Sequence, residues 1–113
     1  MARHKAKRHM TEVLAIEASG DRVTLTLPAE LDLAAAPALV DALRQAFGAA
    51  GEIRVAAAAV ERVSSAAIQA LVAASRLAAL SGQRFNVSGA SEILSESCAD
   101  LGLDAWLAEW SVP

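Results

Sequence analysis

The sequence predicts a single α/β domain, a four-stranded mixed sheet with helices packed on it, in the order β-β-α-β-α-β-α-α. Three observations predict this class. In residues 21–28, DRVTLTLP, Val23, Leu25 and Leu27 alternate with Thr24 and Thr26. That is the period of two of a strand with one buried face. Leu39, Leu43 and Phe47 recur every four residues with Val40 beside them, the spacing of an amphipathic helix. Strand-like and helix-like segments then alternate to the end, which implies a largely parallel or mixed sheet. A length of 113 residues suits one such domain.

Each element has its own signal. EVLAIEA (12–18) reads as the first strand, and ASGD supplies the turn of a hairpin into the second, which Pro28 ends. Residues 30–51 read as an amphipathic helix with Asp41, Arg44 and Gln45 outward. Pro37 fits only its first turn, and Gly48 and Gly51 end it. EIRVAAAAV (52–60) holds a short strand, Ile53 to Ala57, whose nearly continuous apolar character predicts burial on both faces. A helix follows from about Ala66 to Leu80, with Gly82 just past its end. FNVS (85–88) is the fourth strand. Ser91 and Glu92 open a helix that stops at Gly102, and LDAWLAEW (103–110) is a last helical piece.

Composition bounds the chemistry. The chain is 55% hydrophobic, yet it has only two Phe, two Trp and no Tyr, while Ala fills 28 positions. The interior is therefore built from small aliphatic side chains and closely packed helices. Charged residues make up 20%, a modest share for a small domain, which points to surface that meets a partner. The net charge of −3 is uneven. Arg3, Lys5, Lys7 and Arg8 fall in a basic arm, residues 1–10, which reads as a disordered tail or, from the HM pair before Thr11, a cloning remnant. The domain proper, 11–113, is then left at −7. An acidic body argues against nucleic acid, and no run approaches the roughly 18 apolar residues of a spanning helix. The basic start leads into no long apolar segment, and Cys98 has no partner for a disulfide, so a cytoplasmic location is expected.

Enzyme signatures are missing. The only histidines, His4 and His9, lie in the basic arm, so a Ser-His-Asp or Cys-His site within the domain is excluded by composition. No glycine-rich phosphate loop occurs, and nothing has metal-ligand spacing, so no cofactor or metal is expected. Glu30 and Asp32 sit beside a helix start, where acids favour the local dipole. The segment VERVSSAAIQALVAASRL (60–77) is the informative one. Ser64 and Ser65 stand where a helix begins. A serine there caps a free backbone N–H, worth about 1 kcal/mol. The same place offers unpaired N–H groups and the positive end of the dipole, a fit for a phosphoserine. The residues leave both readings open.

Three segments in this order and spacing resemble the STAS domain of anti-anti-sigma factors, also called anti-sigma factor antagonists. They are LPAELDLAAAPAL, VERVSSAAIQALVAA and SEILSESCADLGLDAWL, and the resemblance spans Glu12 to Trp106. The family's switch motif is Asp-Ser-Ser-Gly followed by Leu, with the second Ser phosphorylated by a partner kinase. Aligned between Val60 and Ile68, Ser64 falls at the Asp, Ser65 at the first Ser, Ala66 at the acceptor and Ala67 at the Gly. The chain thus resembles a variant without the usual motif, in which Ser65, then Ser64, is the phosphoacceptor candidate. The resemblance implies a non-enzymatic regulator whose partner is an anti-sigma factor or a histidine-kinase-like ATPase. Alternatives within the family are a non-phosphorylated scaffold or subunit of a chemotaxis or membrane lipid-transport complex, and a small-ligand or nucleotide-binding domain. The expected partner surface is the start of helix 66–80 with the loop near Asp32: Asp32, Ser64, Ser65, Ala66, Gln69 and Arg76. From Ala66 to Leu80, Arg76 is the only charge, and Gln69, Ser75 and Arg76 make the only polar stripe. Either neighbouring helices cover the rest or a partner does.

Overall fold

The structure is a computed structural model and describes residues 14–113. The basic arm and the first residues of the first predicted strand lie outside them. Strands β1 (Ala15–Ser19) and β2 (Arg22–Thr26) form the expected antiparallel hairpin. They are followed by β3 (Glu30–Leu31), a 3-10 turn (Leu33–Ala35) and helix α1 (Ala36–Ala49). Then come β4 (Glu52–Ala56), β5 (Arg62–Val63), α2 (Ser65–Ser81), β6 (Arg84–Ser88), α3 (Glu92–Asp100), α4 (Asp104–Trp110) and β7 (Ser111–Val112). The main sheet runs β1-β2-β4-β6-β7, parallel except for the hairpin, and β3 pairs with β5 in a separate parallel ribbon. The main sheet therefore has five strands, not the predicted four. The three unforeseen strands are two residues each, too short to show a period.

The predicted helix 30–51 is shorter than expected. Glu30 and Leu31 belong to β3, and Pro37 lies in the first turn of α1, as its locked φ requires. Gly48 does not end α1 but lies inside it. The carbonyls of Phe47 and Ala50, near the end of α1, accept from Gln83 Nε2 at 3.0 and 2.8 Å, tying this end to the turn before β6. At the end of α2 the chain turns through Gly82 at φ +72°, a conformation that costs glycine little.

The core sits between the sheet and the helices. Val23, Leu25, Ile53, Val55, Phe85 and Val87 lie on one face and are buried with Leu39 and Leu43 of α1, Ile68, Leu71 and Val72 of α2, and Leu94 and Cys98 of α3. Burial pushes the Cys98 thiol up, consistent with a small apolar role. Trp110 meets Phe85 edge to face at 6.1 Å. Ser75, expected to point outward, is 1% exposed. Its hydroxyl donates to Val72 O at 2.6 Å and accepts from Trp106 Nε1 at 2.9 Å, pinning α4 to α2. Residues 68, 71, 72 and 75 form one helical stripe, and Ser75 falls within it.

Among the described residues no helix covers the opposite face of the sheet. Burial of β4 on both faces is not what the structure shows: Ile53 and Val55 are sealed, while Arg54 and Ala56 are half-buried on the open side. Arg22, Glu52 and Arg84 are register partners on adjacent strands, and Thr24, Arg54 and Asn86 form the next row. Glu52, its side chain 12% exposed, lies 3.3 Å from Arg22 Nε, out of line for a hydrogen bond, 3.3 Å from Arg84 and 3.7 Å from Arg54. Asn86 donates to it at 3.2 Å. That hydrogen bond does most to hold the Glu52 carboxyl below its usual 4.5; partial burial opposes it, and Arg22 and Arg84 add to the lowering.

Two predictions follow from this packing. Leu43→Ala and Ile68→Ala should each destabilise by about 2–5 kcal/mol, read from urea unfolding, because both leave cavities in a closed core. An unchanged midpoint in either would show that the residue is not packed as described. Glu52 gives a pH dependence. Its folded pKa lies below the usual 4.5, so its ionised form contributes stability in full above that pH and loses it as pH falls through the lowered value. Glu52→Gln should therefore melt below the parent at neutral pH, with the gap narrowing below about pH 4.5. A gap constant with pH would refute the assignment.

Candidate functional site

The short ribbon β3–β5 builds the site. Two residues of pairing set Glu30 against Arg62 and Leu31 against Val63. Ala29 O accepts from the N–H groups of Glu61 and Arg62 at 2.8 and 2.9 Å, and Leu31 O accepts from Ser64 N at 2.9 Å. An exposed ion pair, Glu30 to Arg62 at 3.4 Å, lies over the ribbon and adds little in water. Continued by one residue, the register puts Asp32 beside Ser64. Both residues then turn the chain into helical structure.

Each uses its side chain as a cap. Asp32 Oδ1 accepts from Ala35 N at 3.2 Å and closes the 3-10 turn. Ser64, extended at φ −91° and ψ 156°, accepts from Ala67 N at 3.1 Å and caps α2. Ser65 is the first residue of α2 and is exposed. Of the two serines, then, Ser64 is the one bound into the helix start. Ala66, on the next position, is also exposed and has no hydroxyl.

The six residues expected at the partner surface fall into two groups. Asp32, Ser64, Ser65 and Ala66 meet at the N-terminal end of α2. Gln69 lies a turn further, and Arg76 about 15 Å along the axis from Ala66. Among the described residues no other helix covers the stretch between them. Ala66, Gln69, Ala73, Arg76, Leu77 and Leu80 are all exposed and follow one helical stripe, with Arg76 its only charge. Leu80 is 87% exposed, and Leu33, in the turn after Asp32, is 70% exposed. The sequence reading did not single out Leu33, Leu77 or Leu80. The signal for the last two was present: they share the phase of Gln69 and Ala73, not that of Ile68, Leu71 and Ser75.

Other chemistry is thin. Among the described residues no three His, Cys, Asp or Glu side chains gather where they could hold a metal ion. No helix of these residues is long and apolar enough to cross a membrane.

Comparison with solved structures gives the fold class. The phosphorylated form of SpoIIAA, a Bacillus cell-fate determinant, matches with a TM-score of 0.70 at 18% identity, covering 88% of each chain. SpoIIAA in its unphosphorylated form, there called an anti-sigma factor antagonist, matches with a TM-score of 0.65 at 17% identity, over 74% of this chain and 79% of that one. A serine-to-glutamate variant of RsbS from Moorella thermoacetica matches with a TM-score of 0.66 at 24% identity, over 80% of this chain and 79% of that one. The architecture is therefore that of the anti-sigma factor antagonists. A family model described as "Mlab, STAS domain" matches residues 14–109, and the chain belongs to this STAS family. Among curated proteins no sequence matches.

The capping geometry separates the two serines. Ser64→Ala should cost about 0.5–2 kcal/mol, because it frees the Ala67 N–H. Ser65→Ala should stay within about 0.5 kcal/mol of the parent, as an exposed change with no partner to lose. Chemical unfolding of both variants checks this, and equal losses would show that the cap is misassigned.

Proposed function

We propose that the chain is a non-enzymatic, protein-binding regulator of the anti-sigma factor antagonist type. Its partner is an anti-sigma factor or a histidine-kinase-like ATPase. The observation that carries this reading is the outer stripe of α2, from Ala66 to Leu80, with Leu33 and Asp32 at its head. A helix on the surface of a domain ordinarily turns a charged face to water. This one exposes alanines and leucines around a single Arg76, the composition of surface that is covered in a complex. The caps support the same use, because Asp32 and Ser64 hold the loop and the helix start in one fixed arrangement before any partner arrives.

Phospho-switching is the finer part of the proposal. Ser65 is its candidate, with an exposed hydroxyl at the positive end of a 17-residue helix. Phosphate there would put nearly two negative charges at the head of an apolar stripe and weaken a partner that buries it. A second reading has its own support. Ala66, exposed beside Ser65, aligns with the family's acceptor, and the matching family model carries the description Mlab. These favour a constitutive, non-phosphorylated subunit of a larger assembly, using the same face of α2. No observation favours the small-ligand reading. Both remaining readings are of a bacterial protein working in the cytoplasm as a single domain, residues 11–113.

The experiment is to titrate the chain with an anti-sigma factor or histidine-kinase-like ATPase from the same genome. Ala73→Arg should weaken the complex by about tenfold or more while leaving the melting temperature within a few degrees, since Ala73 is exposed and central to the stripe. Unchanged affinity would remove α2 from the interface. Incubation with the partner kinase and ATP, followed by intact-mass and fragment spectra, decides between the readings. One phosphate, lost in Ser65→Ala, supports the switch, and an unmodified chain that still binds supports the constitutive subunit.

A further inference from the structure

We propose that the open face of the main sheet is a second docking surface, one that takes an acidic segment of a partner protein. The proposal is independent of the reading of α2, which lies on the other side of the sheet.

The described residues contain six bases, all of them arginine, and three converge on this face: Arg22, Arg54 and Arg84. They stand on three adjacent strands around one carboxylate, Glu52. Two carboxylates share this face with them, Glu52 among the arginines and Glu17 on the edge strand β1 opposite Thr24, so three guanidiniums leave the face at +1 on a domain that is otherwise acidic. An ion network serving stability alone gains nothing from that surplus, because the guanidiniums repel one another. The surplus has a use if a further acid is to be met there.

The arrangement is also built. Glu52 draws in Arg22 and Arg84 at 3.3 Å, and Arg54 Nε donates to Asn86 Oδ1 at 3.0 Å, while Asn86 itself donates to Glu52. Guanidiniums held in place before binding lose less rotamer freedom when a ligand arrives. Each has five N–H donors, more than these contacts use, and Arg84 is 69% exposed at its side chain. Arginine forks match carboxylates in pairs of parallel hydrogen bonds, which lysines do not. Around them Thr24, Thr26 and Ser88 add hydroxyl groups for a polar rim. Glu52 is thus a positioning residue, and the three arginines are the groups that meet the ligand.

The chemistry selects the occupant. Nucleic acid would meet an acidic body and a face without aromatic side chains on which bases could stack, since Phe85 faces the helices and packs on Trp110. A small anion needs a concave site, whereas these side chains stand in rows across an open sheet. Carboxylates on a protein segment meet both conditions: they match the arginines, and they reach a broad surface.

The test uses the whole isotope-labelled chain and an octaglutamate peptide as probe, with the arginine Nε–Hε signals followed by NMR. The expected result is saturable movement of the Arg22, Arg54 and Arg84 signals, stronger at low salt, with Arg44 and Arg76 unmoved. Arg84→Glu should weaken the peptide by about tenfold or more. Arg84→Gln, a milder change at the same exposed position, should weaken it by less, and circular dichroism of both variants should match the parent. Arg22→Lys should keep the charge and still lose affinity, because the fork is gone. Shifts spread over all six arginines, or affinity unchanged in Arg84→Glu, would overturn the proposal. So would inorganic phosphate giving the same shifts at the same concentration, or an oligonucleotide that competes the peptide away. Self-association of the chain alone, abolished by Arg84→Glu, would assign the face to a second copy and overturn it as well.

Discussion

The structure depends on one constraint: its sheet is apolar on one side only. In β2, β4 and β6 the residues at odd positions, from Val23 to Val87, must leave water, and those at even positions are polar, charged or, at Ala56, small. The helices therefore gather on a single side. Once α1, α2 and α4 have covered that side, α2 has spent one stripe on the core and has another facing outward. The outer stripe of α2 and the arginine rows are the two outer faces of the same two-layer arrangement.

Alanine makes the layers thin. Ala42, Ala46, Ala67, Ala74 and Ala78 are buried between helices and sheet, so the backbones approach closely and no large side chain fills the space. Long-range order then comes from a few polar ties. Asp21 accepts from Gly51 N at 2.9 Å with its carboxylate and from Glu52 N at 3.0 Å with its carbonyl, fixing the start of β4. A side chain at Gly51 would meet the Asp21 carboxylate, which would have to swing aside and loosen this tie. Trp106 and Ser75 fix α4 on α2 in a comparable way.

Much of the fold was legible in the sequence because it is periodic. The alternation in 22–26, the four-residue repeat in 39–47 and the serine before each of α2 and α3 all mark real elements. The two-residue strands were not legible. They carry no period and exist because tertiary packing brings Ala29–Leu31 beside Glu61–Ser64. The candidate site was half legible for the same reason. The capping serine can be read from its place before a helix, but its neighbour Asp32 lies more than thirty residues away, and the ribbon that joins them is invisible locally. The arginine rows were missed because each arginine sits on a different strand, and only the register assembles them. A clue was present in β4, where Glu52 and Arg54 alternate with Ile53 and Val55 and contradict burial on both faces.

The central claim is that the outer stripe of α2, headed by Asp32 and Leu33, is where this domain meets its partner. Chemical-shift mapping of the labelled chain in complex with that partner tests it most directly. The account predicts that amides from Asp32 to Ala34 and from Ser65 to Leu80 move together, while those on the outer side of α1, at Asp41, Arg44 and Gln45, stay in place. A partner that moves the α1 amides and leaves α2 silent would contradict it.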